Sequence, residues 1–117
     1  MGKPSRDKGA RFERRIAAEL DVAGYEARRN LAQYQATDGA DLEVNACLTF
    51  QLKCGKSPRW KAALREAVTA ARKRNDYAVA ITKADRQEPV VHMPWHDFLD
   101  LISLPDVRRT LTRGTAP

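Results

Sequence analysis

The sequence has no apolar run approaching the ~20 residues that a helix needs to cross a bilayer. A membrane-spanning role is therefore not expected. The N-terminus, MGKPSR, is basic but no apolar segment follows it, so a signal peptide is not expected either and a cytoplasmic protein is. Cysteine is scarce. Cys47 and Cys54 are the two present, and their spacing matches neither a zinc pair nor a redox pair. Two reduced thiols in a cytosolic fold are the expectation. The two histidines, His92 and His96, have Pro94 between them. A proline there interrupts a helical turn, which argues against a metal site. There is no internal repeat, low-complexity tract, zinc finger or ribonucleoprotein-type aromatic motif.

What the chain does have is positive charge. Its 117 residues hold 21 Lys and Arg against 15 Asp and Glu, a net charge of +6. For a small domain this balance favours a polyanionic partner, most often nucleic acid. Without a base-reading module, binding is expected to follow backbone charge and nucleic-acid shape. Hydrophobic residues make up 43%, enough to argue against disorder along most of the length. One domain is expected, over residues 7–103, with a loose basic arm at 1–6 and a basic tail at 104–117.

Periodicity divides the chain further. Phe12, Ile16, Leu20 and Ala23 mark one face of a helix from about Asp7 to Ala23, and Gly24 supplies a stop. A first strand is expected at 25–31, then a polar loop at 32–40. Two strands follow, read as a hairpin. Leu42 and Val44 point to one side of the first, with Asp41 and Glu43 on the other. Leu48, Phe50, Leu52 and Cys54 share a side of the second, opposite Thr49, Gln51 and Lys53. Ser57 and Pro58 read as the N-cap and first residue of a second helix, about 58–74, with Trp60, Leu64, Ala67, Val68 and Ala71 on one stripe. Residues 76–82 read as a buried strand and 89–93 as a strand suited to an edge. The segment 94–102 reads as a helix with Trp95, Phe98, Leu99 and Ile102 facing in. The order αβββαββα predicts an α/β fold with a central mixed β-sheet flanked by helices.

Three ionisable groups stand out against this pattern. Glu13 leans toward the apolar face of the first helix, where a carboxylate is costly unless paired. Snorkelling to the edge or pairing with a nearby arginine would satisfy it. Asp41 opens one strand and Lys53 lies near the end of the next. Two carboxylates converging on one point repel unless a cation sits between them. Oxygen donors of this kind suit Mg²⁺ or Mn²⁺. With a lysine close by, in a basic protein, that is the equipment for phosphodiester hydrolysis.

Asp41, followed on the next strand by Gln51-Leu52-Lys53, resembles the signature of the PD-(D/E)XK nuclease superfamily: an acid, then (D/E)-x-K. The stretch KGARFERRIAAEL, 8–20, resembles the opening helix of archaeal-type Holliday junction resolvases. The resemblance covers about residues 7 to 102. It implies a restriction-endonuclease-like fold and a metal-dependent DNA endonuclease acting on branched or four-way DNA as a homodimer. It also implies roles for residues. Asp41 would be the central metal ligand, with Glu13, Gln51 and the Leu52 carbonyl as further ligands, and Lys53 would orient the attacking water. Lys8 and Arg14 would meet phosphates; Arg11, Lys56 and Arg59, in basic clusters that flank the site in sequence, are expected to do the same, the alternative being solvated helix faces. Apart from the resemblance, the position of Tyr34 in the loop ahead of Asp41 suits either stacking on a base or a plain solvent-exposed loop.

Two departures from the pattern stand in the sequence. Ala40 precedes Asp41 where the name of the motif has proline. Gln51 takes the place of the motif acid and offers a neutral carbonyl oxygen. An inactivated, DNA-binding protein on the same fold is thus the alternative expectation. A basic RNA- or protein-binding domain with unconnected surface pairs is a third. Val90, Trp95, Phe98 and Leu101 are candidates for a dimer surface, though a monomer core would use most of them equally well.

Overall fold

The computed structural model of the chain describes residues 3–30 and 40–114. Among them the order is α1 (Lys3–Val22), β1 (Ala27–Arg29), β2 (Leu42–Val44), β3 (Leu48–Gly55), α2 (Trp60–Arg74), β4 (Tyr77–Ala84), β5 (Val90–His92), α3 (Trp95–Ile102) and α4 (Pro105–Leu111). The α/β class and the mixed sheet expected from the sequence are present. β3 and β4 pair in parallel, joined by α2, and β5 pairs antiparallel on the far side of β4. A parallel pair needs such a crossover, whereas the short β4–β5 link suits an antiparallel pair.

β1 and β2 form a separate antiparallel pair, in which Arg28 stands opposite Glu43. Arg28 donates to the Glu43 carboxylate at 2.8 Å, and opposite charges directly across a ladder favour that register. The hairpin expected between β2 and β3 is therefore corrected. β2 takes its ladder from β1, and β3 takes its own from β4.

Helix α1 begins at Lys3, ahead of the expected start. Residues 3–6 thus carry helical backbone rather than a separate arm. Pro4 is tolerated there because first-turn N–H groups have no helical partner. At the other end Gly24 adopts φ +106°, a conformation glycine reaches without a Cβ penalty. Phe12, Ile16 and Ala17 are buried against Leu42, Phe50, Leu52, Val79 and Ile81. This is the main core.

The opposite face of β3–β4 is covered by α2, and its packing is built from alanine: Ala63, Ala67 and Ala71 against Ala78 and Ala80. Leu64 and Val68 pack at its margin. The expected stripe shifts accordingly, and Trp60 is 44% exposed. The helix starts at Trp60, with Arg59 at the N-cap and no side-chain cap bond. Ser57 and Pro58 belong instead to the link, because β3 runs on to Gly55 and the chain must turn back before it can lie on the sheet. Asn75 closes α2 in the left-handed conformation that asparagine tolerates.

Helix α3 corrects a second expectation. Trp95, Phe98 and Leu99 are exposed. Asp97 is buried instead, accepting two hydrogen bonds from the Arg72 guanidinium and one from the Ala78 N–H. Burial alone would raise the Asp97 pKa, but Arg72 and the Ala78 N–H hold it below the usual carboxylate range. This charge-assisted, bidentate contact sets the rotation of α3 and turns its aromatics outward. The expected tail also contains helix α4, with Pro105 in its first turn, Asp106 near its N-terminus and Arg108 and Arg109 near its C-terminus. Each of these suits a helix end.

Candidate active site

Asp41 lies just ahead of β2 and is held by backbone bonds on both sides. Its N–H donates to the Phe50 carbonyl at 2.9 Å and its carbonyl accepts from the Asn30 N–H at 3.0 Å. The buried Asn30 side chain donates to the Ala40 carbonyl at 2.9 Å. Asn30 and Ala40 thus form a closed neck next to Asp41, bracketing it between β1 and β3.

The Asp41 side chain is 8% exposed. One carboxylate oxygen accepts the Leu52 N–H at 2.7 Å. A strand residue's N–H and C=O point to the same edge, so the Leu52 carbonyl also faces the Asp41 side. Burial pushes the Asp41 pKa up to about 6, against the pull of the Leu52 N–H. The charges of Glu13 and Glu66 raise it further, and Lys53 opposes them. An anion in this position is short of positive charge.

Gln51 and Lys53 stand on the side of β3 that faces α2, as alternation requires. Gln51 is buried. The Lys53 ammonium sits 3.3 Å from a Glu66 carboxylate oxygen. Glu13 comes from α1, and the Arg29 guanidinium of β1 donates to it at 2.8 Å, both side chains being largely buried. The paired arginine foreseen for Glu13 thus comes from the next strand rather than from its own helix. Leu52 bonds Asp41 directly, Lys53 and Glu13 act on Asp41 through their charges, and Gln51 is buried on the Lys53 side of β3.

The donors, carboxylate and carbonyl oxygens around a carboxylate short of positive charge, fit a hard divalent cation. Among the described residues no three His, Cys, Asp or Glu side chains already converge as a metal cluster. Glu13 and Glu66 are each turned to a basic partner.

The residues expected to meet phosphate are spread along α1 and the β3–α2 link. Arg11, Arg14, Lys56 and Arg59 are exposed. Lys8 pairs with Asp85 at 2.7 Å, both about half exposed. Tyr34 lies outside the described residues.

Glu66 and Arg29 were not foreseen from sequence. The signal for Glu66 was available: it is three residues after Ala63 and four before Ala70, two residues of the buried face, so helical spacing puts it on the flank beside the sheet. Nothing local marks Arg29, because its partner lies on another element.

No protein-family model matches the chain, and no curated protein does. A solved structure does: Hjc of Archaeoglobus fulgidus, a Holliday junction resolvase from an archaeal hyperthermophile, is 25% identical with a TM-score of 0.57, over 74% of this chain and 75% of that one. The fold is that of an archaeal-type resolvase. The PD-(D/E)XK resemblance seen in the sequence thus has a structural counterpart. In this chain the acid ahead of β2 and the lysine on β3 come from segments that share no ladder, and the Asp41–Leu52 and Asp41–Phe50 bonds do the joining.

Proposed function

We propose that the chain is a Mg²⁺- or Mn²⁺-dependent endonuclease that cleaves phosphodiester bonds in branched DNA, with four-way junctions as the favoured substrate. The observation that carries this reading is the buried Asp41 carboxylate beside Lys53, with the charges of Glu13 and Glu66 bearing on it. Asp41 would be the central ligand, with Glu13, the Gln51 side-chain oxygen and the Leu52 carbonyl around the same ion. A bound cation would polarise the scissile phosphate and lower the pKa of water. Lys53 orients the nucleophilic water and offsets charge gathering on the phosphate. Burial around Asp41 excludes bulk water and strengthens these interactions. The exposed Arg11, Arg14, Lys56 and Arg59 grip the backbone without reading sequence.

A four-way junction has two-fold symmetry, and paired cuts call for two sites, which a C2 dimer supplies. Val90, Val91, Trp95 and Phe98 are exposed on β5 and α3, an apolar surface of the kind that dimers cover. Leu101, expected with them, is only partly exposed.

The second reading is a DNA-binding protein that does not cut. It is favoured by the neutral Gln51 and by the lack of a ready three-acid cluster among the described residues. A cleavage panel of four-way, flap, nicked and linear DNA, with and without Mg²⁺, separates the two. Metal-dependent cutting of branched substrates is expected, and Asp41→Ala abolishes cutting while leaving DNA binding intact. Binding without cutting in any metal condition would support the second reading.

A further inference from the structure

We propose that Glu66 of α2 supplies the second carboxylate of the site, the acid that Gln51 does not provide, so that the cation is held between Asp41 and Glu66. This rests on the metal-dependent reading above and assigns a ligand that the sequence motif does not contain.

The fold makes the approach possible. Helix α2 meets the sheet through Ala63, Ala67 and Ala71 on one side and Ala78 and Ala80 on the other, all fully buried. With methyl groups at the centre of this contact, the helix backbone lies close to the strands. Glu66 stands on the flank of this face and reaches Lys53 at 3.3 Å. Lys53 is on the same face of β3 as Gln51, the position where the motif calls for an acid. Glu66 also lies near enough to Asp41 for its charge to act there. Two acids and one lysine therefore share a small region, and the lysine is the only cation of that group with a contact to Glu66 among the described residues. Glu66 is about half exposed, so its carboxylate can turn from the ammonium to a cation without repacking the core. Lys53 is then released to act on water or phosphate.

The bland alternative is that Glu66 only positions Lys53. Mn²⁺ binding, followed by the electron paramagnetic resonance of the free ion, distinguishes the two without relying on activity. Four variants are compared with the unaltered chain: Asp41→Asn, Glu66→Gln, Lys53→Met, and Glu66→Gln combined with Gln51→Glu. Glu66→Gln is expected to weaken Mn²⁺ binding about tenfold or more, since even groups that merely support a ligand are worth about 10–100-fold. Gln51→Glu in that background restores binding by returning the acid to β3. Lys53→Met tightens binding, because it removes the cation that competes for Glu66. Thermal melts of the same samples confirm folding. Unchanged Mn²⁺ affinity in Glu66→Gln, alongside its loss in Asp41→Asn, would overturn the role of Glu66 while leaving the metal site standing. So would Lys53→Met weakening Mn²⁺ as much as Glu66→Gln does, or no recovery with Gln51→Glu. No Asp41-dependent Mn²⁺ binding in the unaltered chain would overturn both readings.

Discussion

The two faces of the β3–β4 pair differ in what they are made of. Toward α1 they present Phe50, Leu52, Val79 and Ile81, which pack on Phe12 and Ile16. Toward α2 they present Ala78 and Ala80 with Thr49, Gln51 and Thr82, all buried. The first face removes large apolar area from water, at about 25 cal/mol per Å². The second buries little apolar area per residue and accommodates polar groups, which must therefore find partners. Thr49 donates to Asp76 at 2.8 Å and Thr82 bonds to His92 at 2.9 Å. Stability is thus concentrated on one side of the sheet and close approach of chemical groups on the other. Gln51 and Lys53 of the proposed site, with Glu66, sit where the sheet is thinly covered.

The largest stability effect should come from the α1 face. Phe50→Ala is expected to lower stability by about 3–5 kcal/mol, read by urea denaturation. A loss under 1 kcal/mol would mean that this face is not the main core.

The next effect has the opposite sign. The folded-state pKa of Asp41 is raised from the ordinary 3.8 to about 6, so folding disfavours its charged form. The penalty is absent below about pH 4, grows as pH rises toward 6 and is complete above it. Two pH units correspond to about 3 kcal/mol. Asp41→Asn keeps an acceptor for the Leu52 N–H and cannot ionise. It is expected to be more stable than the unaltered chain at pH 8 by up to about 3 kcal/mol, with the advantage vanishing near pH 3. Equal stability differences at both pH values would show that the carboxylate is not strained by burial.

The smallest change in stability tests the thin face. Ala67→Leu overpacks the α2 contact and should cost about 1–3 kcal/mol. It also lifts α2 from the sheet, so cleavage of branched DNA should fall by more than the fraction unfolded. Unaltered cleavage by a destabilised Ala67→Leu would show that the spacing of α2 does not matter to the site.

Much of this was legible in the residues. The apolar spacing of Phe12 and Ile16 gave the face of α1, and Gly24 its end. Alternation put Gln51 and Lys53 on one side of β3 and Phe50 and Leu52 on the other. What misled was the assumption that apolar residues always turn inward. Trp95 and Phe98 do not, because the Arg72–Asp97 contact fixes the rotation of α3 from a different element. Helix α4 was not expected because its arginines read as a basic tail, although Pro105 and Asp106 are there to be read as a helix start.

The sequence by itself determined the period of each segment, its breaks and its excess of positive charge, since these depend on neighbours along the chain. Only the tertiary structure decided that β2 pairs with β1, that Arg29 meets Glu13 and that Glu66 reaches Lys53. Each of those contacts joins residues from separate elements. Such partners are chosen by which faces come to lie against one another, a choice that burial of the whole core makes and that no local pattern encodes.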